Sequence, residues 1–162
     1  MAIATLIGCM IEHFGETRPV EHALKVYAYA HGIGGEEGVS GDDKAALDAA
    51  AILHDIGIPT ALELHGSAAG PYQEAEGERL APKLLSRAAV PERLWPRIAW
   101  LVGNHHSEEK APGDGLLQIL MEAGYLVSLA EGNRPDRRPG EVYASFFRTG
   151  TGKRYLRALF EI

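Results

Sequence analysis

Apolar positions recur along this chain with helical spacing, and few segments alternate with the period of two that a half-buried strand requires. Residues 2–14 read as a first helix, closed by Gly15. Thr17 is placed to cap a second helix with Pro19 in its first turn, running to about Ala30. Gly32, Gly34, Gly35 and Gly38 then read as a glycine-rich loop. Ser40 with Asp43 three residues on resembles a capping box for a third helix, which carries KAALDAAAILHD and stops at Gly57 with Pro59 beyond. Residues 61–70 read as a loop or short turn. Further helices are predicted from Tyr72 to Ala88, from Pro96 to about His105, and over 116–131. A Pro- and Arg-rich loop follows from Gly132 to Gly140, then two short helices near 141–148 and 151–160.

The pattern predicts an all-α fold, an irregular helical bundle. A chain of 162 residues is long enough to bury one sizeable core, and neither a repeat nor a low-complexity linker divides it. The formal charge of −6 makes a nucleic acid polymer or an anionic membrane a poor partner. Cys9 is the only cysteine, so no intrachain disulfide can form, which fits a reducing compartment. The opening residues lack a basic start, and no apolar run approaches the ~20 residues of a membrane span. The expectation is a cytoplasmic protein. An amphipathic C-terminal stretch, KRYLRALFEI, is suited either to close the core or to pair with a second copy in a homodimer.

Seven histidines exceed what packing needs, and helical phase sorts them. Leu47, Ala50, Ala51 and His54 share one face, so His54 follows an apolar stripe inward. Asp55 lies beside it at a helix end, where an acid opposes the helix dipole and a cation would compensate. Ile98, Leu101, Val102 and His105 likewise share a face, with His106 next to it. Glu74 lines up with Gly77, Ala81, Leu84 and Ala88 as the inward acid of its helix, and His22 lies between Pro19 and Val26 on a half-apolar face. Separate helices thus each send one imidazole or carboxylate inward. Buried charges must be paired or bound to metal, and this donor set suits Mn, Fe, Co, Ni or Zn. His13 and His31 have no such pattern and read as ordinary surface or packing residues; His65, in HGSAAG, is placed to border a site mouth.

The strings EHALKVYAYA and AAILHDIG, followed by HGSAAGPYQEAEG, LVGNHH and QILMEAGYLVSLAEG, resemble the HD superfamily of metal-dependent phosphohydrolases, and within it a group of small bacterial HD-domain proteins. The likeness runs over nearly the whole chain, so residues 1–162 are expected to form a single HD domain. It implies that a divalent metal ion (Mn, Fe, Co, Ni, Zn or Mg) is held by His22, His54 and Asp55. The paired His105 and His106 resemble the added ligands of two-metal members, in which Asp55 would bridge, and Gln73 or Glu74 stands where another ligand comes from. One departure is clear. The family's distant Asp should fall on the helix over 116–131, where Leu117, Leu120, Met121, Gly124 and Ser128 share an inward face, and Gly124 occupies its place.

The resemblance implies hydrolysis of a small phosphorylated substrate, a nucleotide-like phosphate ester. Asp55 would ligate metal and orient water, and Glu74 would act as base or supporting acid. Lys25, one turn from His22, and His65 are the candidate substrate contacts. Gly124 motivates a second reading, a catalytically degenerate module that binds metal or ligand without turnover. The His105–His106 pair motivates a third, a di-iron oxygenase, a chemistry that some HD proteins perform.

Overall fold

The computed structural model describes residues 2–162, and among these the chain forms helices and turns without a strand. The α-helices are α1 (Ala2–Phe14), α2 (Thr17–Glu36), α3 (Gly41–Leu53), α4 (Ile58–His65), α5 (Gly70–Arg87), α6 (Trp95–Val102), α7 (Gly115–Glu131), α8 (Pro139–Ser145) and α9 (Gly150–Phe160). Short 3₁₀ turns precede α6 and α7.

At the centre is α3, in contact with α1, α2, α6 and α7. Every residue from Ala46 to Leu53 is buried. A helix enclosed all round must be largely apolar; the one charged residue in this run, Asp48, is paired with His31 and Lys44, and the alanines let neighbours approach from several sides. Leu47, Ile52 and Leu53 fill the remaining space, each contributing about 1.5–3 kcal/mol by burial. The rigid α3 thereby delivers His54 and Asp55, which follow its last residue, to a fixed place. Around it, α2 packs along α7 in antiparallel sense, so that the first turns of α2 meet the last turn of α7. The C-terminal α9 closes the core, burying Thr151, Gly152 and Leu156 against the bundle.

Three expectations need correction. The glycine-rich stretch is helical: α2 continues to Glu36. A Cβ on Gly34 would meet Leu47 Cδ2 at 2.8 Å, so the glycine lets α3 come close, and that packing outweighs the ~1 kcal/mol that glycine costs in a helix. Residues 58–65, read in large part as loop, form α4, because Pro59 sits in its first turn, where its missing N–H costs nothing. The third and sixth helices end early, at Leu53 and Val102. His54–Gly57 and Gly103–His106 are tight turns instead. The first of these packs so closely on α5 that a Cβ on Gly57 would overlap the carbonyl oxygen of Gln73 and the amide nitrogen of Gly77. Among the described residues no single helix is long and apolar enough to cross a membrane.

Candidate metal centre

Both shortened helices end in the same device. The last carbonyls of a helix lack an intrahelical partner. At the end of α3 the orphan Ala51 carbonyl accepts a hydrogen bond from His54 Nδ1 at 2.7 Å. At the end of α6 the Val102 carbonyl accepts one from His105 Nδ1, also at 2.7 Å. Each ring is thereby fixed with Nδ1 protonated and Nε2 pointing away from its helix. His22, on α2, is held differently: its Nδ1 donates to Glu131 Oε1, in the last residue of α7, at 2.6 Å. That bond orients its Nε2 in the same inward sense.

The three Nε2 atoms converge on one carboxylate. Asp55 Oδ2 lies 3.4 Å from His22 Nε2 and 3.2 Å from His54 Nε2, and Asp55 Oδ1 lies 3.4 Å from His105 Nε2. The rings of His22 and His105 each stand 5.3 Å from that of His54, and the His106 ring stands 4.1 Å from that of His105. Two donor groups result, His22–His54–Asp55 and Asp55–His105–His106, with ligand atoms in each within 4.8 Å of one another and Asp55 common to both.

This arrangement calls for positive charge. A neutral imidazole that donates through Nδ1 has only a lone pair at Nε2, and a carboxylate also accepts. Facing acceptors repel unless a cation or proton lies between them. His105 Nε2 is buried and has no hydrogen-bond partner, an orphan that a metal ion would satisfy. Burial works to raise the Asp55 carboxyl pKa, yet His54 and His105 outweigh it and hold that pKa well below the usual range. Burial opposes charge on His54, and Asp55 outweighs it in turn, so the His54 pKa is raised. His106 is exposed at the surface, yet desolvation on the protein side and the neighbouring His105 push its pKa down to about 3, so it presents a neutral ring. Imidazole nitrogens around a shared carboxylate fit a divalent first-row ion, and the tether on each Nδ1 is the support that metal-ligating histidines need.

The centre forms the floor of a cavity of about 460 Å³, with Ile58, Leu120 and Met121 on its walls and Ser128, Asn133 and Arg134 at its edge. Gly124 faces this cavity, and a Cβ built there meets nothing within 4 Å. The gap expected from the sequence is real space. Three of the residues expected at the site lie elsewhere or behind the centre. Glu74 is not a lining residue; its Oε2 accepts the His106 backbone N–H at 3.4 Å, and burial raises its pKa. Its neighbour Gln73 lines the cavity instead, with Oε1 buried and unpartnered. Lys25 reaches Glu131 at 3.4 Å rather than the cavity. His65 stacks on Tyr72 with ring centroids 4.6 Å apart, outside the cavity.

Two contacts escape sequence reasoning. Glu131 falls on α7 at i+7 from Gly124 and i+3 from Ser128, so extending the inward stripe by one turn would have found it. His13, which had no pattern, bonds through Nε2 to the Ile56 carbonyl at 2.7 Å and so ties α1 to the His54–Gly57 turn. Set beside known proteins, the chain matches the family model described as HD domain over residues 20–141. No curated protein and no solved structure matches it.

Proposed function

Because the chain belongs to the HD-domain family, whose model spans most of its length, we propose that it is a divalent-metal-dependent hydrolase of a small, nucleotide-like phosphate ester. The observation that carries this reading is the convergence of three tethered Nε2 atoms from three helices on the single carboxylate of Asp55. His22, His54 and Asp55 would hold one ion, and His105 and His106 would complete a second site that shares Asp55. A divalent ion bound there supplies Lewis-acid polarisation of phosphate oxygens and activation of a water nucleophile.

The chain's own groups divide the remaining work. Asp55 presents two oxygens to the centre, so it can both ligate and orient water. Glu131 and the Ala51 and Val102 carbonyls fix the imidazoles before substrate arrives. Glu74 accepts the backbone N–H of His106 from behind the centre, a positioning role.

Metal analysis of the purified protein, followed by assay against phosphomonoesters and phosphodiesters, tests this reading. The expected result is bound divalent metal and turnover that chelation abolishes. Gly124 favours a second reading, a binding module that has lost turnover with its fourth ligand. Stoichiometric metal without turnover on any ester would give that reading precedence. Gly124→Asp has room for its side chain and should then raise metal affinity.

A further inference from the structure

The metal cavity has one feature that metal binding alone does not call for. Among its described lining residues Arg134 is the only lysine or arginine. A guanidinium beside a cation site repels the cation. Two cations sharing one cavity become favourable when an anion lies between them.

Several contacts aim this side chain. Gly132, at φ +73°, ends α7 and turns the chain back along it. The guanidinium of Arg134 then lies over the Tyr125 ring, 5.1 Å from its centroid, and that of Arg137 lies 5.4 Å from the same centroid. The Tyr125 hydroxyl is in turn bonded to Glu108. The two arginines differ in what answers their charge. Arg137 is 3.7 Å from Glu108 and does not line the cavity. The one acid that Arg134 pairs with, through Nε at 3.4 Å, is Asp136 two residues away, whose side chain is 65% exposed. Such a solvent-exposed local pair is weak. Of the five N–H donors of a guanidinium, Nε–H meets Asp136 and the Tyr125 hydroxyl stands within reach of another, so the fork keeps donors for an anion. The same cavity is lined by the histidine centre and by Gly124, where a Cβ would meet nothing within 4 Å.

We infer that Arg134 is the side chain that receives the substrate's phosphate in the cavity it shares with the metal centre, with the bare face of Gly124 leaving room for the phosphate there. This rests on the phosphohydrolase reading and names the group that recognises the anion within it. The planar fork of arginine matches two phosphate oxygens, which a lysine cannot do. The recognised group is a terminal phosphate with free oxygens, so inorganic phosphate is a sufficient probe.

Calorimetric titration of the metal-loaded protein with inorganic phosphate tests the assignment, with metal content and thermal unfolding measured on the same samples. Arg134→Gln should weaken phosphate binding by about 10–100-fold with metal content unchanged. Arg134→Lys should fall between that variant and the parent. Arg137→Gln, which loses the same stacking on Tyr125, should change affinity by less than about 3-fold. Parental affinity in Arg134→Gln, or an equal loss in Arg137→Gln, would overturn the inference while leaving the phosphohydrolase reading standing. If Arg134→Gln does not fold, Arg134→Lys decides, since it keeps charge and loses the fork; unchanged affinity there would overturn the assignment. A metal-loaded parent protein that neither binds phosphate nor cleaves any phosphoester would remove the underlying reading, and this inference with it.

Discussion

Two cavities of this molecule invite comparison. One, of about 460 Å³, has the histidine centre as its floor. The other, of about 640 Å³, lies between the end of α2 and the start of α7 and is lined by Glu37, Asp43, Arg97, Asp114, Gln118 and Thr149 among others. The second is larger and carries more formal charge. Its groups, however, answer one another. Arg97 grips Asp114 with two hydrogen bonds of 2.7 Å, Glu37 accepts the Thr151 backbone N–H at 2.8 Å, and Thr149 donates to buried Glu122. Gln118 Oε1 is one stray acceptor there, while its amide nitrogen donates to both Glu122 and the Phe146 carbonyl. In the histidine cavity three acceptor atoms face a fourth group that also accepts. Unmatched groups aimed at one point mark a site, whereas size and charge do not.

The sharpest way to break this contrast is at Asp55. Asp55→Ala removes the group common to both donor sets and should abolish metal-dependent turnover. Its metal affinity should fall beyond the ~10–100-fold that loss of a merely supporting partner causes. Metal titration alongside esterase assay checks this, and full metal content with full activity would end the metal-centre reading.

A smaller effect is expected at Glu131. Glu131→Gln keeps the shape but replaces the charged acceptor of His22 Nδ1–H, so metal should bind about 10–100-fold more weakly. The protein should remain folded, because the pair lies at the edge of the bundle. An unchanged metal affinity would reduce Glu131 to a surface partner of Lys25.

The paired cavity should respond in stability alone. Asp114 caps α7 by accepting the Leu117 N–H and holds Arg97. Asp114→Ala should therefore cost about 1–2 kcal/mol at neutral pH and leave metal binding unchanged. Burial pushes the Asp114 pKa up, but Arg97 and the Leu117 N–H outweigh it and hold it below the ordinary value. A lowered folded-state pKa stabilises the fold above the unfolded value near 3.9, and that stability is lost as pH falls through the folded pKa. The difference between parent and variant should thus shrink in acid, as denaturant unfolding at pH 7 and below pH 3 would show. A loss of metal affinity in this variant would mean that the two cavities are coupled after all.

The all-helical fold and the central donors were legible along the chain, because a helix imposes a fixed period on its buried face. That period, run on past the ends of α3 and α6, points to His54 and His105, and it marks Gly124 as a position without a ligand. What periodicity does not encode is where a helix stops and which other helix lies opposite. In the turns after Leu53 and Val102, imidazoles take the orphan carbonyls of Ala51 and Val102, an arrangement that depends on the surrounding packing. The pairing of α2 with α7 decided that Glu131, and not an acid near Gly124 in sequence, would meet His22. The loop after α7 decided that Arg134, rather than Lys25 or His65, would face the cavity. Local pattern determines which side of a helix is apolar; only tertiary packing, by summing weak contacts between distant segments, decides which polar groups share a point in space.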